Sequence, residues 1–362
     1  MSIHDFFPND YPSARRAFLS SAEAAHLQVG SFENPDARAP DGGPLFADCV
    51  WAGPEDAPNV VVSVSGTHGV EGFLGSGCQT GWLREQRYKH LPDDVAVLHI
   101  HAINPYGFAW LHRGTEGNVD LNRNFIDHAH VPSNETYADV HPLIMPDDWT
   151  DDTPARIRTD IARFVEGHSQ KVFDQAIMQG QHSHPDGVFY GGIQPTWSNG
   201  VIRGLAAERL SRAERIAVLD FHTGLGPYGH AELICRHPAG SDALLRARRW
   251  YGDAVTAAQA GESDSPPVDG NLRMAFGNLC PGAQVTAIGI EVGTVPLDQC
   301  LMALYADNWL HAKGDPPGPF RDRVMGDMRR AFFPDEPGWT EPVYARAMEI
   351  VEQAVAGMEG GT

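Results

Sequence analysis

Runs of β-branched and other apolar residues alternate along the chain with segments whose apolar positions recur at helical spacing. The apolar runs predict these strands: Val60–Ser65, Val95–Ala102, Gly187–Gly191, Ile216–Phe221, Ala231–Cys235 and Val285–Val292. The helical segments predict these helices: Ser13–Leu27, Gly72–Tyr88, Pro154–Gln179, Gly200–Leu210, Ser241–Gln259, Leu297–Lys313 and Pro342–Gly357. Because the strands are too apolar to have a face in water, the pattern predicts an α/β fold whose mostly parallel central sheet is flanked by helices on both sides.

The chain shows neither an internal repeat nor a low-complexity linker, so we expect a single domain over residues 1–362. The segment at about 128–181 is polar and contains prolines. We expect it to pack on the sheet as an insertion.

Composition narrows the class of protein. A hydrophobic content of 42% with 20% charged residues is ordinary for a globular protein. The formal charge of −20 argues against nucleic acid or an anionic membrane surface as the main partner. No apolar run is long enough to span a bilayer, and the first residues lack the apolar core of a signal peptide. Five scattered cysteines without a CxxC pair fit a reducing compartment, so the expected location is the cytoplasm. The sequence does not indicate an oligomeric state.

The first candidate for chemistry follows the strand at Val60–Ser65. A glycine-containing turn there delivers His68 and, three positions later, Glu71. A tight turn places these two side chains on one side, where they can close on one metal ion. A catalytic zinc site usually takes three protein ligands and leaves a fourth position for water. The pair therefore predicts another ligand from a second strand end.

That ligand is predicted at His222, which ends the apolar run Ile216–Phe221. Side chains alternate along a strand, so Asp220 and His222 point to the same side. Asp220 can orient a ligand imidazole from behind, as carboxylates often do. The alternative is a core histidine that is satisfied by a backbone carbonyl.

The polar stretch HRGTEGNVDLNRNF at residues 112–125 follows another predicted strand. It holds Arg113, Asn122 and Arg123 at the same sheet edge as His68. A guanidinium grips a carboxylate through two parallel hydrogen bonds, and an adjacent amide can bind a remaining oxygen. The alternative is that the arginines are solvated and Asn122 caps a turn.

The strand predicted at Val285–Val292 carries Glu291 near its end. A carboxylate in so apolar a strand is costly to bury unless it is paired or functional. The position therefore predicts a catalytic base, and Glu291 is not needed as a metal ligand.

Together these stretches resemble the zinc carboxypeptidase family and the related deacylases of the aspartoacylase and succinylglutamate desuccinylase type. The motifs that carry the resemblance are His68-Gly69-Val70-Glu71 (HxxE), Asn104-Pro105-Tyr106-Gly107 (NP-x-G), Asp120-Leu121-Asn122-Arg123-Asn124-Phe125 (DLNRNF), Asp220-Phe221-His222-Thr223 (DxHT) and the strand-end Glu291. Their order and spacing are the family's over roughly residues 55–310. The branch resembled is a poorly characterised bacterial one.

The resemblance implies a zinc-dependent hydrolase that cleaves an amide bond next to a free carboxylate. It implies one zinc ion held by His68, Glu71 and His222, and a substrate carboxylate bound by Asn122 and Arg123. Arg113 would then polarise the scissile carbonyl. Glu291 would deprotonate the water and protonate the leaving amine.

Several alternatives stay open at this stage. The substrate is a small peptide or an N-acyl amino acid, and a non-catalytic binding module is a further alternative. The family's mobile tyrosine has no unambiguous counterpart, and Tyr228 is favoured over Tyr190 and Tyr251 because it follows the His222 turn. The stretch at 179–192, which holds two histidines, predicts a wall of the substrate cleft, with a second metal site as the alternative.

Overall fold

The apolar runs of the chain form the centre of a mixed sheet in the computed structural model, which describes residues 2–263, 268–314 and 317–359. Over these residues the strands are β1 Val29–Arg38, β2 Pro44–Ala52, β3 Asn59–Val64, β4 Val95–His101, β5 Arg215–Thr223, β6 Ala231–Cys235, β7 Val255–Ala257 and β8 Gln284–Val292. The helices are α1 Tyr11–Ala24, α2 Gly72–Arg84, α3 Pro105–Trp110, α4 Tyr137–Ile144, α5 Thr153–Gly167, α6 Gln170–Met178, α7 Trp197–Arg209, α8 Asp242–Tyr251, α9 Leu272–Leu279, α10 Leu297–Ala312, α11 Pro319–Phe332 and α12 Pro337–Glu359. Short 3₁₀ turns include Gly69–Glu71 and Leu121–Arg123.

Within the described residues the sheet has eight strands in the order β1-β2-β4-β3-β5-β8-β6-β7. The inner strands β4, β3, β5 and β8 are parallel, whereas β1, β2 and β4 pair antiparallel, as do β8 and β6. The carboxyl ends of the four inner strands therefore meet at one edge. This architecture confirms the predicted α/β class with a parallel-centred mixed sheet.

Alternation along the strands distributes the core over both faces of the sheet. In β3, Val61 packs into a cluster with residues of α1, α2, α8 and α12, whereas Val60 and Val62 pack with residues of α7 and α9. All three valines are fully buried. A strand that is buried at every position is thus explained by helices on both sides.

A third apolar cluster joins α4, α5 and α6 to α10 and α11. The first three of these helices fall in the segment at 128–181 that the sequence predicts as an insertion. The cluster places this segment beside α10, and α10 follows the strand that carries Glu291.

Several predicted elements are wrong. The stretch Gly187–Gly191 is not a strand, since Phe189 has a left-handed backbone (φ 54°) and only an isolated bridge joins Gln181 to Tyr190. The helix predicted at Pro154–Gln179 is two helices, because Ser169 breaks it and caps α6 by accepting a hydrogen bond from Val172 N. The helix predicted at Ser241–Gln259 ends at Tyr251, and the edge strand β7 follows it.

Other elements were not predicted at all, namely β1, β2, α3, α4, α9 and α11. Strand β1 is largely exposed, so its sequence VGSFENPDAR lacks an apolar run. Over the described part of the chain, no helix is both long and apolar enough to cross a membrane.

Candidate metal centre and its cavity

Two turns packed against each other build the first half of the site. After β3, Gly66 turns the chain with a left-handed backbone (φ 72°), and His68 then begins the 3₁₀ turn that contains Glu71. A Cβ atom at Gly69 would lie 1.9 Å from the carbonyl carbon of Gly107 in α3. Only glycine allows this approach, so the HxxE turn and the NP-x-G turn depend on each other.

The three predicted ligands converge at the carboxyl edge of the sheet. His68 Nδ1 lies 3.0 Å from one Glu71 carboxylate oxygen, and His222 Nδ1 lies 2.9 Å from the other. One ligand atom from each of the three residues lies within 4.8 Å of the others, and all three side chains are buried. The structure thus brings His68, Glu71 and His222 together as a group that could hold one metal ion.

A buried carboxylate stands behind each imidazole. Asp120 Oδ1 lies 3.1 Å from His68 Nε2, and Asp220 Oδ2 lies 2.6 Å from His222 Nε2. When each Nε2 donates to its carboxylate, each Nδ1 turns a lone pair towards Glu71. This is the tautomer that a metal requires, and such carboxylates commonly orient metal-ligating histidines.

The electrostatics of the cluster favour cations. Burial opposes a charge on His222, but the neighbouring Asp220 and Glu71 outweigh it and raise the pKa of His222 to about 10. Burial likewise opposes ionisation of Glu71 and Asp120. Nearby cationic groups, foremost His68 for Glu71 and Arg113 for Asp120, nevertheless hold both pKa values well below their usual range. The negative charges that favour a protonated imidazole here also attract a metal cation.

Arg113 borders this cluster. Its guanidinium donates to Glu71 Oε1 at 3.0 Å and to Asp120 Oδ2 at 3.1 Å, and Arg113 Nη2 lies 2.9 Å from His68 Nε2. The ring of Phe189 lies beneath it, 4.9 Å from the guanidinium carbon. Arg113 is therefore fixed beside the predicted ligands with a partly exposed side chain.

Asn122 and Arg123 are oriented by the short turn that Asp120 caps. Asn122 accepts a hydrogen bond from Leu272 N at 2.9 Å, and its amide nitrogen lies 3.3 Å from His222 Nε2. Arg123 donates to the carbonyl of Met178 at 2.6 Å, while its buried Nε has no hydrogen-bond partner among the described residues. Both side chains are buried and line the same cavity as His68, Glu71 and His222, so neither is solvated.

Glu291 lies opposite His222 in the register of β8 and β5. Its carboxylate accepts a hydrogen bond from Leu225 N at 3.0 Å. Burial and the negative charge of Glu71 raise the pKa of Glu291 to about 7. A carboxyl group poised near neutrality can both accept and release a proton.

A cavity of about 90 Å³ joins these groups. His68, Glu71, His222, Glu291, Arg113, Asn122 and Arg123 all line it. It is also lined by Arg236, Asn271 and Arg273, which the sequence analysis missed. Arg273 lies on the unpredicted α9, 3.7 Å from Asp220, and Arg236 follows β6, whose carboxyl end points away from the site edge. A prediction that considers only the carboxyl ends of parallel strands could not identify either arginine.

The sequence predicts no role for Asp120 of the DLNRNF motif. The structure gives it one, because it contacts His68 and Arg113 and caps the turn that orients Asn122. Its spacing from Asn122, an aspartate two positions earlier at a turn, is the signal that could have indicated a cap.

Comparisons with known proteins bear on both sequence and fold. The sequence profile of one family, described as "Protein of unknown function (DUF2817)", matches residues 7–346. The chain belongs to the DUF2817 family. No curated protein matches this DUF2817 chain in sequence.

Solved structures share the fold of the DUF2817 chain at low sequence identity. Bovine thrombin-activatable fibrinolysis inhibitor, in complex with tick carboxypeptidase inhibitor, is 11% identical with a TM-score of 0.53, and the match covers 97% of each chain. Carboxypeptidase A from Helicoverpa armigera is 12% identical with a TM-score of 0.43, covering 92% of this chain and 76% of that one. A putative succinylglutamate desuccinylase/aspartoacylase from Shewanella frigidimarina NCIMB 400 is 16% identical with a TM-score of 0.37, covering 80% and 69%. The first of these matches, with a TM-score of 0.53, confirms the predicted fold.

The structure does not bring Tyr228 to the cavity of the DUF2817 chain. Tyr228 is 52% exposed, and its hydroxyl donates to Glu336 at 3.1 Å. Tyr251 is buried, and its hydroxyl has no hydrogen-bond partner in the described part of the chain. Tyr190 is buried, and its carbonyl accepts a hydrogen bond from Asp120 N.

The stretch at 179–192 contacts the arginines of the site. Phe189 lies beneath both Arg113 and Arg123, and a Cβ at Gly180 would meet Arg123 Cδ at 2.7 Å. His182 bonds the carbonyl of Gly192, and His184 contacts Ser183. Among the described residues, neither histidine joins a group of three that could hold a metal.

Proposed function

We propose that this protein is a zinc-dependent hydrolase of the metallocarboxypeptidase type, which cleaves an amide bond next to a free carboxylate. The observation that carries the proposal is the convergence of His68, Glu71 and His222 in one cavity with Glu291 and with the Asn122–Arg123 pair.

The side chains present fit a zinc ion. Two imidazoles and one carboxylate are a known catalytic ligand set for zinc, and three protein ligands leave a position for water or substrate. The carboxylates of Asp120 and Asp220 behind the imidazoles complete the pattern. A zinc ion held there supplies Lewis acidity and makes water easier to deprotonate.

The remaining chemistry is assigned to side chains of this chain. Glu291 accepts a proton from the attacking water and passes it to the leaving nitrogen, a task suited to its pKa of about 7. Arg113 donates to the carbonyl oxygen as negative charge develops there. Asn122 and Arg123 hold the free carboxylate, with the guanidinium as a two-point clamp.

We extend the proposal to four further points. Tyr228 is the residue proposed to close over bound substrate from its surface position. The chain is proposed to be a single catalytic domain with an insertion at 128–181. Its proposed location is the cytoplasm, and its proposed substrates are small peptides or N-acyl amino acids.

Turnover tests the proposed function most directly. Metal-loaded protein is assayed on short peptides and on N-acyl amino acids, with bound zinc determined in the same sample. The matched probe is the same substrate with an amidated carboxyl terminus. We expect amidation to harm the wild type far more than Arg123→Lys, because an ammonium cannot reproduce the planar fork. Equal harm to both proteins would show that the carboxylate is bound elsewhere.

The second candidate is a deacylase of N-acyl amino acids. It is favoured by Arg236 and Arg273, which add two guanidinium groups to the cavity beyond Arg123. Arg113 also lines the cavity but is assigned to the carbonyl oxygen, so three guanidinium groups remain. These suit a substrate with two carboxylates, such as an N-acyl derivative of aspartate or glutamate. Faster turnover of such derivatives than of peptides would select this candidate, and the reverse order would reject it.

A further inference from the structure

A second group of buried metal-ligating side chains lies on the other side of Arg113. Its members are His112, in the loop that leads to Arg113, and Asp307 and His311 of α10. Asp307 and His311 are four residues apart, a spacing that places both on one face of the helix. One ligand atom from each of the three residues lies within 4.8 Å of the others. The set is therefore assembled from two separate elements.

The orientation of His112 is fixed from behind by Asn118. The amide nitrogen of Asn118 donates to the carbonyls of Pro185 and Gly187, at 2.9 and 3.1 Å. The Asn118 carbonyl oxygen must therefore face His112 Nε2, 3.1 Å away, and accept its proton. A neutral His112 then directs the lone pair of Nδ1 at Asp307 Oδ2, only 2.7 Å away. Two lone pairs at that distance repel each other unless a cation lies between them.

The remaining groups of the cluster also lack partners. Asp307 Oδ1 and His311 Nε2 are both buried and make no hydrogen bond within the described residues, and they lie 3.5 Å apart. The side chain of Asp307 is 1% exposed and that of His311 is 10% exposed. The rings of His112 and His311 lie 3.9 Å apart between centroids.

A route for an ion reaches this cluster from the surface. A cleft of about 330 Å³ is lined by His112, His311, Asn118 and two acidic residues, Glu116 and Asp186. A positive charge that opposes a cation here is Arg321, which lies over the ring of Trp110. The cleft is separate from the cavity of the proposed catalytic site, whose lining residues do not include any of the three.

We propose that His112, Asp307 and His311 form a second metal site, which binds a divalent transition-metal ion. Two imidazoles and one carboxylate favour zinc among such ions, and Asn118 provides the outer hydrogen bond that fixes a ligating histidine. An ion there joins the loop that carries Arg113 to α10. The proposal does not depend on the proposed catalytic function, because it uses none of the same ligands.

Zinc stoichiometry of the full chain tests the proposal. Protein stripped by a chelator is titrated with zinc against a chromophoric competitor, and circular dichroism checks the fold of each variant. We expect two zinc ions per wild-type chain and one in His68→Ala/His222→Ala. Addition of His311→Ala to that double variant should remove the last ion. The matched control is His130→Ala in the same background, since His130 also contacts an aspartate but is 83% exposed, and this variant should keep one ion.

The structural alternative is a protonated His112 paired with Asp307, which needs no metal. It predicts that the folded double variant binds no zinc, and that result would overturn the proposal. Unchanged stoichiometry on adding His311→Ala would overturn it as well. If the double variant does not fold, Asp307→Asn in the wild-type background must lose one ion relative to wild type. A wild-type chain that binds one zinc and keeps it in the double variant would contradict the catalytic site and support the second one.

Discussion

Two pairs of buried histidines in this protein differ in the groups that surround them. His68 and His222 lie at strand ends, and each contacts Glu71 on one side and an aspartate on the other. His99 and His101 belong to β4, with His101 as its last residue, and are similarly buried. The pKa of His222 is raised to about 10, whereas the pKa values of His99 and His101 fall to about 3 and about 4.

The difference comes from the neighbours rather than from burial. His99 packs edge-on against Trp82, and neither of its ring nitrogens has a partner in the described structure. His101 stacks on Phe18, 4.3 Å between ring centroids, and its Nε2 lies 2.8 Å from the hydroxyl of Ser76, while the charges of Asp48 and Arg15 act on its pKa in opposite directions. Burial without a counter-charge disfavours the imidazolium, and buried carboxylates reverse that effect. The carboxylates therefore separate a candidate metal ligand from a core histidine.

The largest expected effect tests the strand-end pair itself. His222→Ala should lose bound zinc and lower turnover by at least about 10³-fold, since a metal contributes several kcal/mol to the transition state. Elemental analysis and kcat/KM measure the two effects. The matched control is His101→Gln in β4, which should keep its zinc. Zinc lost equally from both variants would mean that the loss reports damage to the fold.

Glu291→Gln has the next largest expected effect. The glutamine keeps the volume and can hydrogen-bond, but it cannot accept a proton. Turnover should fall by about 10²–10⁴-fold, the usual contribution of a general acid or base. A base acts only when ionised, so wild-type kcat/KM should fall as the pH drops below the pKa of Glu291, about 7 in the structure without a metal. A metal ion bound by His68, Glu71 and His222 would lower the pKa of Glu291 below that value.

The Glu291→Gln variant should lack this acidic limb of the pH profile and keep wild-type zinc content. Loss of zinc on this substitution would instead identify Glu291 as a ligand or a structural partner.

The substitution Asp220→Asn tests whether the carboxylate behind His222 contributes to zinc binding. The loss of charge behind His222 should weaken zinc binding by about 10–100-fold, as expected for such outer partners. Competition with a chelator of known affinity measures this change. Asp48→Asn is the matched control, because Asp48 is an equally buried carboxylate that pairs with Arg15 away from the site. It should lower stability and leave zinc affinity unchanged; equal weakening in both variants would refute the role of Asp220.

The sequence alone predicted the centre of the sheet and most of the site. Strands β3, β5 and β8 are buried at nearly every position, and their ends deliver His68, His222 and Glu291 to one edge. The antiparallel edge was not predictable in this way, because β1 is solvated and carries little apolar pattern.

The sequence could not predict contacts between segments that are far apart along the chain. Arg273 lies near Asp220 and belongs to α9. This helix has only eight residues and lies in a polar stretch of the sequence, so its pattern did not predict it. The His112 cluster joins residues 195 positions apart, His112 and Asp307, through loop packing that no local pattern encodes. Tyr228 follows the His222 turn in sequence, yet the turn directs it to the surface.

The smallest expected effect concerns the core histidines of β4. His99 keeps a neutral ring in the folded protein because its pKa is about 3, whereas in the unfolded chain it binds a proton below a pKa of about 6.5. The unfolded state therefore binds more protons between these values, so stability is present above pH 6.5 and is lost as the pH falls. At pH 5 this costs about 2 kcal/mol of unfolding free energy per such histidine. His99→Leu fills the site with an apolar side chain and should lose about 2 kcal/mol less than wild type between pH 7.5 and pH 5. Urea unfolding at the two pH values measures the difference, and parallel losses in both proteins would show that His99 titrates normally inside the fold.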